Sequence, residues 1–385
     1  MNRQLTALRG ASILDQGQFC PGQVLLLRGR QLAGMVPEQQ VPSGVDVIDL
    51  ADGYLVPGFV DLQVNGGGGV MLNDAQDVDT LRRMAQAHAR IGATSILPTL
   101  ISDTPEQVRS AIKAVAEAAA EGVPGILGLH LEGPHLSQGR KGAHDGGLIR
   151  RMSQDDLTLL LEAATQLPVL KITVAPESVS NEQIRALSAA GVLVSLGHTN
   201  ADFATCQAAA KAGARCVTHL FNAQSQIGNR EPGTVGAALA LGELSAGLIA
   251  DGVHVHPETM ALALRAKRGP GRIFLVSDAM ASAGSDIDSF NLNGRLIQRS
   301  GNRLTLEDGT LAGAHLELAT AVRNLVEMCN VPLNVAFDMA SAVPSGLIGA
   351  TQIGSLAQGR LADVLHLDDA LQITRVWQQG QVVLT

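Results

Sequence analysis

Eight short apolar runs, each closed by a polar or chargeable cluster, restrict the possible folds of this chain more than any other feature. They lie at 58–64, 94–100, 125–131, 170–175, 192–197, 216–220, 246–250 and 273–276. They show little of the in-out alternation of a half-buried strand, as expected where both faces are covered. Helix-like stretches separate most of them, at 79–91, 105–121, 154–166, 181–190, 201–212 and 257–268. Thr104-Pro105 and His256-Pro257 put proline in a first turn, and Ser153 and Ser180 suit N-caps. Eight strand-then-helix units predict an α/β fold, a (β/α)8 TIM-type barrel. A doubly wound open sheet is the alternative, but no GxGxxG opens a helix after the first run.

The two ends of the chain differ from this middle. Residues 24–27 and 32–36 read as strands split by Arg28-Gly29-Arg30, and 362–367, 373–377 and 380–384 look alike. Residues 1–56 and 353–385 are therefore expected to form one small β domain, with 57–352 as the barrel. Turn signals at Asn293-Gly294, Ser300-Gly301-Asn302 and Asp308-Gly309 interrupt the alternation. They predict a β-hairpin insertion near 288–310, before a helix that starts near Ala314.

A hydrophobic fraction of 46% fits a large core, and only 2% of residues are aromatic. So few rings argue against single-stranded nucleic acid held by stacking, and a net charge of -8 weighs against polyanions generally. No apolar stretch has the length of a membrane span, and residues 1–10 lack the apolar region of a signal peptide. Cys20, Cys206, Cys216 and Cys329 are scattered without a CxxC pair, as in a reduced cytoplasmic protein.

Barrels of this kind carry their sites at the C-terminal ends of the strands, so a residue just after an apolar run is informative. Glu132 follows the third run, His198 the fifth, His219 the sixth and Asp278 the eighth. Two imidazoles and one carboxylate can hold a catalytic divalent ion with a position left for water, which makes Glu132, His198 and His219 candidate ligands. Zn2+ is the first choice, and Fe2+, Co2+ or Mn2+ also suit the set. Asp278 can take a proton from water and return it to a leaving amine. The bland readings are a rim carboxylate paired to a cation for Glu132 and a loop cap for Asp278.

Gln63 and Asn65 close the first run where many metal-dependent hydrolase barrels hold His-x-His. Amides are poor metal ligands, and Lys171 begins the fourth run where a bridging lysine would end it. One metal is therefore expected, with Gln63 and Asn65 facing substrate. His144, in a basic Gly-rich loop, can hydrogen-bond a substrate carbonyl, the alternative being an exposed loop histidine. His254 and Arg230 suit a phosphate.

Taken together, the segments 57–61, 130–136, 197–200, 218–223, 230–233, 250–254, 277–279 and 354–363 resemble the N-acetylglucosamine-6-phosphate deacetylase family of the amidohydrolase superfamily, nearly end to end. The resemblance implies a barrel with a small β-sandwich built from both termini, and hydrolysis of N-acetylglucosamine 6-phosphate to glucosamine 6-phosphate and acetate. It places the metal on Glu132, His198 and His219, the general acid/base on Asp278 and the carbonyl-polarising ring on His144. It gives phosphate contacts to His254 and Arg230, and sugar-phosphate contacts to backbone amides near Asn222 and Ala223. In the family that arginine reaches a neighbouring subunit's site, which implies a homodimer. Gln224, Ser277 and residues 286–291 depart from the family's usual pattern and leave the epimer open, so N-acetylgalactosamine 6-phosphate is the nearest alternative. A cyclic-amide hydrolase wants His-x-His and the bridging lysine, and a silent sugar-phosphate binder would need no metal.

Overall fold

Eight parallel strands pair in the order in which the chain delivers them. They are β1 Val60–Val64, β2 Ser95–Ile101, β3 Leu129–Glu132, β4 Leu170–Val174, β5 Leu193–Leu196, β6 Cys216–Val217, β7 Ser245–Leu248 and β8 Ile273–Leu275. The sheet closes where Val64 bridges Ala279 in parallel, with Asn65 N–H donating to Ala279 O at 2.8 Å and Asp278 N–H to Gln63 O at 3.1 Å. The computed structural model describes residues 5–384; residues 1–4, part of the segment read for a targeting signal, and Thr385 lie outside the described residues.

The crossovers are α1 Val78–Arg90, α2 Pro105–Ala120, α3 Gln154–Gln166, α4 Asn181–Ala189, α5 Phe203–Ala212, α6 Gly233–Ala240, α7 Pro257–Ala266 and α8 Leu318–Cys329. Ser153 and Ser180 each form a capping box, and proline opens α2 and α7. A side-chain cap is worth ~1 kcal/mol, because it satisfies a donor that the first helical turn leaves free. Sequence periodicity missed α6. Residues 233–239 are all buried, so the helix has no polar face, and Gly233 and Gly236 lower its propensity. The helix expected near Ala314 starts at Leu318 instead, because Ala314 N–H is still bound to Asp278 O at 2.9 Å.

Inside the barrel, residues two apart on a strand share a face. That face is unusually polar for a barrel. Thr99 Oγ1 meets His130 Nδ1 at 3.1 Å, and His130 Nε2 meets Thr173 Oγ1 at 2.8 Å. Thr173 Oγ1 meets Thr218 Oγ1 at 2.7 Å, and Thr218 Oγ1 meets Ser195 Oγ at 2.6 Å. Lys171 is buried and donates to Leu62 O at 3.2 Å. Each polar atom in this chain has a partner, which offsets the desolvation that an isolated one would cost.

The terminal segments build two further sheets. One orders Gln31–Pro37, Gln23–Arg28, Leu5–Arg9 and Asp46–Asp49. The other orders Gln381–Leu384, Ile373–Gln378, Val364–Leu367, Tyr54–Pro57, Ser12–Asp15 and Gln18–Cys20, so three strands from each chain end share one sheet and meet where Val364–Leu367 pairs with Tyr54–Pro57. Leu8, Ile13, Leu25, Leu55, Val364 and Trp377 form the core of this sandwich. Phe19 and Tyr54 join it to Phe59 and Phe337 of the barrel, with ring centroids 5.0 to 6.4 Å apart. The insertion is the three-stranded meander Ser289–Leu292, Arg295–Ser300 and Arg303–Thr305. Asn293 and Gly294 both have positive φ (49° and 75°), as a tight two-residue hairpin turn requires.

Candidate metal centre and its cavity

Glu132 is the last residue of β3, whereas His198, His219 and Asp278 lie two or three residues beyond β5, β6 and β8. Those three have left-handed backbones, with φ of 48°, 28° and 52°. Such a conformation costs a non-glycine residue on the order of 1 kcal/mol or more. The fold accepts it three times at the same place, where the chain turns sharply off the strand and the side chain enters the barrel mouth.

There the side chains converge. Glu132 Oε1 lies 3.2 Å from His198 Nε2 and 3.0 Å from His219 Nε2, and the two nitrogens are 3.0 Å apart. Donors bonded to one tetrahedral cation at ~2.0–2.1 Å would stand roughly 3.3 Å from one another, so this triangle is close to the size a Zn2+-like ion requires. His198 Nδ1 donates to Arg140 O at 2.7 Å, which leaves its Nε2 lone pair for a cation. These three residues are a group able to hold a metal ion, and Lys171 is too deep in the barrel to bridge a second one.

Gln63 lies beneath, and its Nε2 donates to both Glu132 oxygens at 3.2 Å and to Asp278 Oδ1 at 3.1 Å. Asn65 Nδ2 donates to Asp278 Oδ1 at 2.8 Å. Both amide oxygens are buried without a partner among the described residues, so they remain acceptors. The two carboxylates titrate in opposite directions. Burial works against ionised Glu132, but the imidazoles of His198 and His219 facing it hold its carboxyl well below the ordinary range. Burial, and then the charge of Glu132, raises Asp278. A buried carboxylate with raised proton affinity beside a cation site is arranged for proton transfer.

All the residues read from sequence as site candidates line one cavity of about 270 Å³, except Gln63 and Arg230. His144 is buried, not an exposed loop residue, and its ring lies edge-on to His198 with centroids 4.5 Å apart. Burial, and then His198, pushes its pKa down to about 3, so the ring is neutral at physiological pH. His254 Nδ1 donates to Asp251 Oδ2 at 2.6 Å. Asn222 and Ala223 sit in a turn where Phe221 and Ala223 have φ of 78° and 50°. The Asn222 backbone N–H donates to His219 O at 2.9 Å, which closes the turn. Arg230 is exposed in the loop before α6, outside the cavity.

Other residues at the site escaped the sequence reading. Ser102 contacts His144, Asp251 holds His254, and Asp61 accepts from the backbone N–H of Gln63 and of Ser277. Ser102 and Asp251 each follow directly on an apolar run, so the strand-end rule that found Glu132 would have found them. Asp61 gave no such signal, being inside a strand. Met280, Leu292 and Ile101 supply apolar wall.

The Amidohydrolase family model matches residues 54–383. The chain is 44% identical over 376 residues to N-acetylgalactosamine-6-phosphate deacetylase of Shewanella sp. (strain ANA-3), covering 97% of this chain and 95% of the relative. It is 34% identical over 344 residues to N-acetylglucosamine-6-phosphate deacetylase of Haemophilus influenzae, covering 88% and 89%. The crystal structure of N-acetylglucosamine-6-phosphate deacetylase from Pasteurella multocida superposes with a TM-score of 0.94 at 34% identity, over 98% of this chain and 99% of that one. A closed barrel with a His-His-Glu triangle and an acid at the end of its eighth strand, matched along almost its whole length, places this chain in the amidohydrolase family.

Proposed function

We propose that the protein removes the acetyl group from N-acetyl-D-glucosamine 6-phosphate, giving D-glucosamine 6-phosphate and acetate, with one divalent metal ion per subunit. The observation that carries the reading is the meeting of Asp278 with the Glu132–His198–His219 triangle in one cavity. A divalent cation held by those three residues, Zn2+ in the first instance, supplies Lewis-acid activation when bound. Asp278 takes the proton of the attacking water and passes it to the departing amine. Gln63 and Asn65 keep Asp278 in place by donating to it. His144, neutral and buried, donates a hydrogen bond to the acyl oxygen as negative charge develops there. Ile101, Met280 and Leu292 exclude water around the acetyl group.

The sugar phosphate is held at the other side of the cavity by His254, braced by Asp251, and by the Asn222–Ala223 turn. Arg230 completes the phosphate site from a neighbouring subunit of a homodimer, a reading supported by its exposed place in the same loop as Ile227, an apolar residue that is 57% exposed. The four unpaired cysteines fit a cytoplasmic enzyme, and among the described residues no helix is long and apolar enough to cross a membrane.

A second reading, N-acetyl-D-galactosamine 6-phosphate as substrate, is favoured by the 44% identity to the Shewanella relative against 34% to the Haemophilus one. Acetate release from both epimers and from their unphosphorylated forms, with and without chelator, tests both readings. The expected result is chelator-sensitive release that needs the phosphate. Release that survives removal of the metal, or the absence of release from either epimer, rejects the assignment.

A further inference from the structure

Ser102 follows β2 immediately and is buried. Its Oγ lies 2.8 Å from His144 Nδ1, and its backbone N–H donates to the same nitrogen at 3.2 Å. A backbone N–H can only donate, so His144 Nδ1 must present its lone pair. The neutral ring then carries its proton on Nε2. The residues on either side hold Ser102 still. Asn73 accepts from Ile101 N–H at 3.3 Å and donates to Ile101 O at 3.2 Å and to Asp103 Oδ2 at 2.8 Å. Another cavity histidine is set the opposite way, because His254 Nδ1 faces the Asp251 carboxylate and carries the proton itself.

We propose that Ser102 is a positioning residue that fixes His144 as its Nε2–H tautomer, so that the ring meets the acyl oxygen as a donor and not as an acceptor. This rests on the deacetylase reading and deepens it. An imidazole with its proton on Nδ1 would put a lone pair against the developing oxyanion and oppose the reaction. The tautomer therefore decides whether His144 helps or hinders, and β2 sets it through one backbone N–H and one hydroxyl.

Long-range 1H–15N correlation on histidine-labelled, metal-loaded enzyme reads the tautomer directly, with His144 assigned by the signals lost in His144→Gln. The wild-type ring is expected to show a protonated Nε2 and a bare Nδ1. Ser102→Ala keeps the backbone N–H but removes the hydroxyl, so a mixed pattern with a new Nδ1–H population is expected, with kcat lowered about tenfold and KM and metal content held within about twofold. Ser102→Thr, which keeps the hydroxyl, is expected to restore both. A wild-type ring protonated on Nδ1 overturns the proposal even if no variant folds, as does a Ser102→Ala enzyme with unchanged spectrum and kcat. The reading beneath it fails separately: if His144→Gln keeps near-normal kcat, His144 has no part in the reaction, whatever its tautomer.

Discussion

Glu132 and Asp278 share one amide donor, the Nε2 of Gln63, yet only Asp278 takes up a proton easily. Two imidazoles face Glu132 at hydrogen-bond distance, whereas Asp278 is bonded by neutral amides, and its burial and the charge of Glu132 outweigh the pull of His219 and His254. Asp278→Asn keeps those amide contacts but cannot accept a proton. It should lower kcat by ~10²–10⁴-fold with the metal still bound, measured by turnover beside metal analysis. Asp61 gives a stability prediction. Burial raises its pKa from 3.8 to about 7. Below about pH 3.8 the folded and unfolded states both hold this proton. Between there and about pH 7 only the folded state keeps it, so stability falls as pH rises; above that the whole penalty applies, on the order of a few kcal/mol. Wild type minus Asp61→Asn stability, from urea unfolding, should thus be more favourable at pH 5 than at pH 8. Equal differences would refute the assignment.

At the scale of the element, the insertion acts on the site through Arg295, which donates to Ala143 O beside His144. Leu292 from its first strand also lines the cavity. Arg295→Ala should lower kcat/KM about threefold to tenfold with little change in Tm, because one partly buried hydrogen bond is lost while the barrel core is untouched. Intact kcat/KM would show that the meander is only a cover. The sequence showed where such elements lie better than how they meet. Asn293-Gly294 marked the hairpin because few residues accept two successive positive φ values. Ser153 and Ser180 marked helix starts for an equally local reason. Helix α6 stayed hidden because its signal is burial on all sides, which comes from its neighbours. Glu132, His198 and His219 were legible because each ends an apolar run. Asp61 and the Thr99–His130–Thr173 chain were not, since a polar residue inside a strand shows which way it points only once the barrel is closed.

At the scale of the whole molecule, the site draws on strands from residue 60 to residue 275, and the proposed phosphate site draws on a second subunit. Arg230→Ala and Asp278→Asn should each be nearly inactive alone. When they are mixed and allowed to exchange, about a quarter of wild-type activity should return, because half of the dimers are mixed and each holds one complete site. No recovery would place Arg230 in its own subunit's chemistry or outside it altogether.

The seam at Val64 and Ala279 joins the strands farthest apart along the barrel sequence, and Gln63, Asn65 and Asp278 flank it. A loop of that length is entropically slow to shut, so this junction belongs among the late events of folding. Glu132 and the two imidazoles belong to strands within the sheet, whereas Asp278 meets them across that junction, through the Gln63 amide. Turnover in this protein doubles as a certificate that the last staves of the cask have met.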